Sequence, residues 1–149
     1  DSPESNYAAA LPMFKALALP VARVLRVNTA LPLEQAAADY EAQLVRFLDS
    51  GGAIALALLG LGADGHTCSL FTVGDLRAAE GRYAIPVPKD TGPDRVSVTP
   101  ALLRRAERVV FLVAGNGKDE VAERLRAEPE TLVAGRAVAE CPHVEIWRA

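Results

Sequence analysis

Cysteine is scarce: Cys68 and Cys141 are the only two in 149 residues. That is too few for a disulfide framework or a cysteine-rich zinc site. Histidine is as rare, and His66 with His143 makes too thin a set for a metal centre. No apolar run reaches the roughly 18 residues that a membrane span needs. Basic side chains do not predominate either: 16 Lys and Arg stand against 19 Asp and Glu, a net charge of −3 with a pI near 5.4. This argues against a nucleic-acid binder working through bulk positive charge, but leaves room for a small basic pocket that takes one phosphate. No signal peptide is visible, so the cytoplasm is the expected compartment. The first residue is Asp1 rather than Met, and it leads straight into a helical pattern, so the chain is expected to lack part of its N-terminus. What is present is 50% apolar and 23% charged residues, an ordinary globular composition of about one domain's length. An intact chain of this size buries roughly 70% of its unfolded surface.

Helical and strand periodicities alternate along the chain. Tyr7, Ala10, Leu11, Phe14 and Leu17 share one helical face that ends near Pro20. Residues 21–27 alternate apolar with basic and predict a strand. Leu33, Ala36, Ala37, Tyr40, Leu44, Phe47 and Leu48 form an amphipathic helix stopped by Ser50-Gly51-Gly52. Residues 53–59 are apolar on both faces, as in a buried parallel strand. Residues 74–94 are rich in Gly, Pro and charge, with a short strand at 83–87. Further strands are predicted at 95–99, 108–114 and 143–147. A helix opens at Pro100 and runs to about Ala106, and another carries Val121, Ala122 and Leu125. The pattern predicts an α/β fold with a mostly parallel sheet. In such sheets ligands bind where loops leave the carboxyl ends of strands. Two glycine-rich loops stand there, residues 60–66 and 115–118.

Gly60, Gly62 and Gly65 spell G-x-G-x-x-G after a strand. A nicotinamide cofactor is not expected, because no long apolar helix follows and no acidic residue sits at a strand end about 20 residues later. His66 is the main catalytic candidate, since an ordinary imidazole can take a proton from water near neutral pH. Asp64 either orients His66 or the substrate, or merely closes the turn. Ser69 lacks the G-x-S-x-G elbow of a serine nucleophile and is expected to cap or line the segment after His66. Cys68 is expected to be packed and inert. Arg95 and Lys118 suit a phosphate dianion, one as a planar fork and one as a mobile point charge. Lys118 opens a helix, so a phosphate there would also meet free backbone N–H groups.

The stretch Leu59-Gly60-Leu61-Gly62-Ala63-Asp64-Gly65-His66-Thr67-Cys68-Ser69-Leu70-Phe71 resembles the signature of 6-phosphogluconolactonases. Four other segments are similar to that family in the same order. They are Ser5-Asn6-Tyr7, Ala38-Asp39-Tyr40-Glu41, Arg95-Val96-Ser97-Val98-Thr99 and Phe111-Leu112-Val113-Ala114-Gly115-Asn116-Gly117-Lys118. Thr72 departs from the family's usual Pro, and Trp147 is followed by Arg148-Ala149 rather than Leu-Asp. The family's Gly-Gly-Ser-Thr-type phosphate loop and Asp-Glu-Arg-type segment do not occur.

The resemblance implies a three-layer α/β sandwich with a Rossmann-like sheet, a single lactonase domain over residues 1–149, and hydrolysis of 6-phospho-D-glucono-1,5-lactone in the oxidative pentose phosphate pathway. It implies His66 and Asp64 as catalytic residues, and Arg95, Lys118, Gly62 and Gly65 as substrate- and phosphate-binding residues. It also implies no metal or organic cofactor, and a sugar-phosphate lactone as the small-molecule partner, with neither nucleic acid nor membrane. Two alternatives are an amino-sugar-phosphate isomerase or deaminase of the same fold and a non-catalytic sugar-phosphate-binding fragment. The first also carries Asp-Gly-His but follows it with a Phe-Asn-Glu-Pro-like run, whereas Ser69-Leu70-Phe71-Thr72 has no such Glu.

Overall fold

The computed structural model describes residues 5–115 and 117–148. Asn116, in the predicted glycine turn, and Ala149, in the C-terminal motif, lie outside the described residues, as do residues 1–4. The elements are α1 (Asn6–Ala16), α2 (Leu33–Asp49), β1 (Ile54–Gly60), α3 (Val73–Ala78), β2 (Ala84–Val87), β3 (Arg95–Val98), α4 (Pro100–Leu103), β4 (Ala106–Val113), α5 (Asp119–Ala127), α6 (Val133–Ala137) and β5 (Val144–Arg148). β1, β4 and β5 form a parallel sheet in the order β1-β4-β5, and β2 pairs antiparallel with β3. The predicted α/β class with a mostly parallel sheet is what forms. Among the described residues no helix is long and apolar enough to cross a membrane.

The pleat sorts the central strand. Val109, Phe111 and Val113 point to one face and are buried against Val121, Ala122 and Leu125 of α5 and Ala134 and Ala137 of α6. Leu59 of β1 lies opposite Phe111 and joins them. On the other face Val110 is buried, but Leu56, Leu58, Leu112 and Trp147 are 46, 45, 44 and 49% exposed. α2 uses its apolar stripe on the small sheet, where Leu44 packs with Ala84 and Leu102. Its Glu41 carboxylate accepts the backbone N–H groups of Tyr83 (2.8 Å) and Ala84. Glu41 of the Tyr40-Glu41 motif therefore has a structural role: it ties the entry into β2 to a helix.

Three local expectations need correction. Residues 21–27 form no strand; residues Val21–Arg23 make a 3₁₀ turn after Pro20, and the segment joins neither sheet. Pro20 sets φ at −64°, and Val21 (68% exposed) has no apolar surface to bury against, so alternation alone does not make a strand there. The helix at Pro100 ends at Leu103 rather than Ala106, because Ala106 already pairs with Ile54 in the parallel ladder. Within residues 74–94, α3 forms where only loop and strand were expected. Its signal is a capping box: the Thr72 hydroxyl accepts the Asp75 N–H (3.1 Å), and the Asp75 carboxylate accepts the Thr72 N–H (2.7 Å). This accounts for Thr72 where the family usually has Pro, since proline has no N–H to donate.

The two faces of β4 predict unequal costs. Phe111→Ala should lower the urea-unfolding free energy by about 3–5 kcal/mol, the usual cost of emptying a large core site. Leu112→Ala, one residue on, should cost roughly 1 kcal/mol or less. Equal losses would show that both faces are buried in solution.

Candidate active site

Parallel pairing sets the site. Gly60, the last residue of β1, lies opposite Leu112 of β4, so the loops that leave both strands emerge at the same sheet end. The first loop folds back on itself. The Gly62 N–H donates to the His66 carbonyl (2.9 Å), the Gly65 N–H donates to the Gly62 carbonyl (2.9 Å), and the Thr67 hydroxyl donates to the Gly60 carbonyl (2.8 Å). Gly65 has φ +83°, a conformation that costs a side-chain-bearing residue. A Cβ there would also press on Leu132 Cδ2 at 2.6 Å. Its carbonyl accepts the Ala134 N–H (2.8 Å), which anchors the turn to α6.

Inside this turn His66 Nδ1 lies 2.5 Å from Asp64 Oδ1, and the same oxygen accepts the His66 backbone N–H at 3.3 Å. A carboxylate can only accept, so Nδ1 carries the proton and Nε2 is left as the basic nitrogen. A Cβ on Gly62 would collide with His66 Nδ1 and stand 2.5 Å from Asp64 Oδ1. The glycine is the space the pair occupies. The His66 side chain is 28% exposed and that of Asp64 63%. Partial burial pushes the Asp64 carboxyl up, but the hydrogen bonds from His66 outweigh it and hold the group below its usual 3.8. Both roles left open for Asp64 have a contact: Oδ1 meets the imidazole and also accepts the His66 N–H within the turn.

Lys118 stands just before α5 at the end of the second loop, and its Nζ donates to the Leu61 carbonyl at 2.8 Å. The structure thus brings Gly62, Asp64, Gly65, His66 and Lys118 together. Asp119 and Glu120 fill the first turn of α5, so the positive end of that helix already faces two carboxylates. The positive charge offered to an anion is the ammonium rather than the helix end.

Arg95 stands outside this contact network. It begins β3 and lines a cleft of about 700 Å³ with Arg26, Tyr7 and Tyr40, a cleft whose lining includes none of His66, Asp64 and Lys118. β3 nevertheless reaches the segment just after His66, because the Ser97 hydroxyl accepts the Ser69 N–H at 3.1 Å. Ser69 is buried and serves this junction, in line with its expected lining role. Burial pushes the Cys68 thiol up to about 11, so it stays protonated and unreactive near neutral pH. Sequence reasoning missed Phe71 and Lys89: the Phe71 ring lies 4.6 Å from the His66 ring, and the Lys89 ammonium lies 3.8 Å from the Phe71 ring centre. Among the described residues no three His, Cys, Asp or Glu side chains gather as a metal site.

The family model described as glucosamine-6-phosphate isomerases/6-phosphogluconolactonase matches residues 1–145. The chain belongs to this family. The 6-phosphogluconolactonase of Rattus norvegicus is 35% identical over 127 residues, covering 82% of this chain and 49% of the rat protein. That of Homo sapiens is 37% identical over 119 residues, covering 76% and 46%. The chain spans about half the length of these curated relatives. The crystal structure of 6-phosphogluconolactonase from Thermotoga maritima superposes with a TM-score of 0.75 at 29% identity, covering 100% of this chain and 67% of that one. Membership of this family accords with the glycine turn, the His-Asp pair and the lysine-bearing loop described above.

The Asp64–His66 contact predicts a pH signature. A depressed carboxyl adds stability that is present above its unfolded pKa and is lost as pH falls through the lower folded value. In a carbon-detected NMR titration, Asp64 should titrate below 3.8 in the native protein and move upward in His66→Ala. An unmoved titration would detach Asp64 from the imidazole.

Proposed function

We propose that the chain carries the hydrolytic site of a 6-phosphogluconolactonase, opening 6-phospho-D-glucono-1,5-lactone to 6-phospho-D-gluconate. The observation that carries this reading is the His66–Asp64 pair held over Gly62 beside Lys118. A lactone is an activated cyclic ester, so attack by water needs a base and a placed carbonyl, not a covalent intermediate. His66 Nε2 takes a proton from water as the oxygen bonds to the lactone carbonyl carbon. The tetrahedral adduct then collapses, the bond to the ring oxygen breaks, and that oxygen takes a proton back from His66. The products are a carboxylic acid, which ionises at neutral pH, and the free 5-hydroxyl. Asp64 holds Nδ1–H throughout and stabilises the transient imidazolium.

Lys118 holds the 6-phosphate, and the held phosphate places the carbonyl over the base; Arg95, in the separate cleft, takes no part in this pocket. Gly62 leaves the room that the His66–Asp64 pair fills, and Gly65 makes the left-handed turn that brings the pair together. We assign the protein to the cytoplasm and invoke no nucleic-acid or membrane partner. The isomerase or deaminase branch of the family is disfavoured by the residues after His66. The first carboxylate there is Asp75, and it is engaged by the N–H groups of Phe71 (2.8 Å) and Thr72 (2.7 Å).

Turnover of the phosphorylated lactone, measured above its spontaneous opening, tests the reading. His66→Ala should lower kcat by roughly 10²–10⁴-fold, the usual worth of a general base. Lys118→Ala should weaken binding of 6-phosphogluconate by about 1.5–3 kcal/mol, the worth of a charge-assisted bond, and leave binding of unphosphorylated gluconate unchanged. Full kcat in the first variant would place the base elsewhere. Phosphate-selective product binding without turnover would make the chain a binding module.

A further inference from the structure

A hydrogen bond restrains a ring only as firmly as its partner is held, and the Asp64 side chain that meets His66 Nδ1 is 63% exposed. The base needs a second, orthogonal restraint if Nε2 is to be held in one place. The Phe71 ring, 4.6 Å away and tilted by 47°, supplies a wall against the imidazole. Phe71 is well suited to this because its own position is over-determined. Its N–H is held by the Asp75 carboxylate at 2.8 Å, inside the Thr72 capping box, and its side chain packs against the main core cluster.

The Phe71 ring is half-buried and carries a cation on it. Lys89 Nζ sits 3.8 Å from the ring centre, within the range of a cation–π contact. Lys89 follows β2, and its backbone is pinned in turn, since its N–H donates to Asp94 Oδ1 at 3.0 Å. The contacts therefore run without a gap from Asp94 through Lys89 and Phe71 to His66 and Asp64. They join the β2–β3 loop to the loop after β1.

We propose that Phe71 and Lys89 are positioning residues for His66, the ammonium clamping the aromatic ring and the ring fixing the plane of the imidazole. This rests on the reading of His66 as the base, and neither residue needs to touch substrate. It also gives the 88–94 loop, which bears no catalytic group, a part in the reaction.

The test uses the chain with four substitutions: Phe71→Leu and Lys89→Met remove the clamp, while Phe71→Tyr and Lys89→Arg keep it. Long-range ¹H–¹⁵N NMR of the His66 ring, assigned against His66→Ala, reads the tautomer without substrate. Wild type, Phe71→Tyr and Lys89→Arg should show one dominant tautomer with Nδ1 protonated. Phe71→Leu and Lys89→Met should show a mixture. In turnover, Phe71→Leu should lose roughly tenfold in kcat with KM within about twofold, and Phe71→Tyr should recover it. Lys89→Met should lose less, and Lys89→Arg should recover that loss. Mixed tautomers in the two disruptive variants with no lactone turnover by any form would support the clamp and defeat the lactonase reading alone. Wild-type tautomers and wild-type kcat in both disruptive variants would overturn the clamp and leave the lactonase reading standing.

Discussion

The hydrogen bond between Asp64 and His66 organises everything else in the site. It is an i to i+2 contact, so the chain must reverse sharply within three residues. That reversal demands a left-handed residue at Gly65 and an absent side chain at Gly62. The glycines are therefore consequences of the His66–Asp64 pair and not of a dinucleotide. A pyrophosphate-binding loop would leave its N–H groups free for the ligand. Here the Gly62 and Gly65 N–H groups are spent on the turn itself.

The parallel sheet supplies the rest. Adjacent parallel strands deliver their following loops to one end, and this places Lys118 on the loop that holds His66, although 51 residues of chain lie between them. An antiparallel neighbour would have sent its loop to the opposite end. The buried face formed by Val109, Phe111 and Val113 holds the strands in register. The second sheet contributes through its own contacts on the loop: Ser97 accepts from Ser69, and Lys89 covers Phe71.

Much of this was legible in the sequence, for physical reasons. Residues 53–59 and 109–114 read as parallel strands because they lack polar residues, although Leu56, Leu58 and Leu112 leave one face half exposed rather than buried as expected, and α2 read as a helix because its stripe is one-sided. Gly62, Asp64 and His66 were singled out by a glycine turn at a strand end together with the family resemblance of the stretch that holds them. Residues 21–27 misled because alternation reports a half-buried surface only when a surface is there to bury against. α3 was hidden by its length, since six residues give no periodicity, although Thr72 and Asp75 marked its start. Phe71 and Lys89 were illegible as a pair: 18 positions separate them, and nothing local signals that an ammonium will settle on that ring. The Arg95 placement shows the limit of motif transfer. The strand it begins touches the segment after His66 through Ser97, while the arginine itself lines another cleft with Arg26.

That division makes ligand position the decisive observation. A crystal structure of the protein soaked with 6-phosphogluconate tests the central claim most directly. The account predicts the product's carboxylate within hydrogen-bond reach of His66 Nε2 and its phosphate on the Lys118 ammonium. Product seated in the cleft lined by Arg26, Tyr7 and Tyr40, with nothing beside His66, would contradict it.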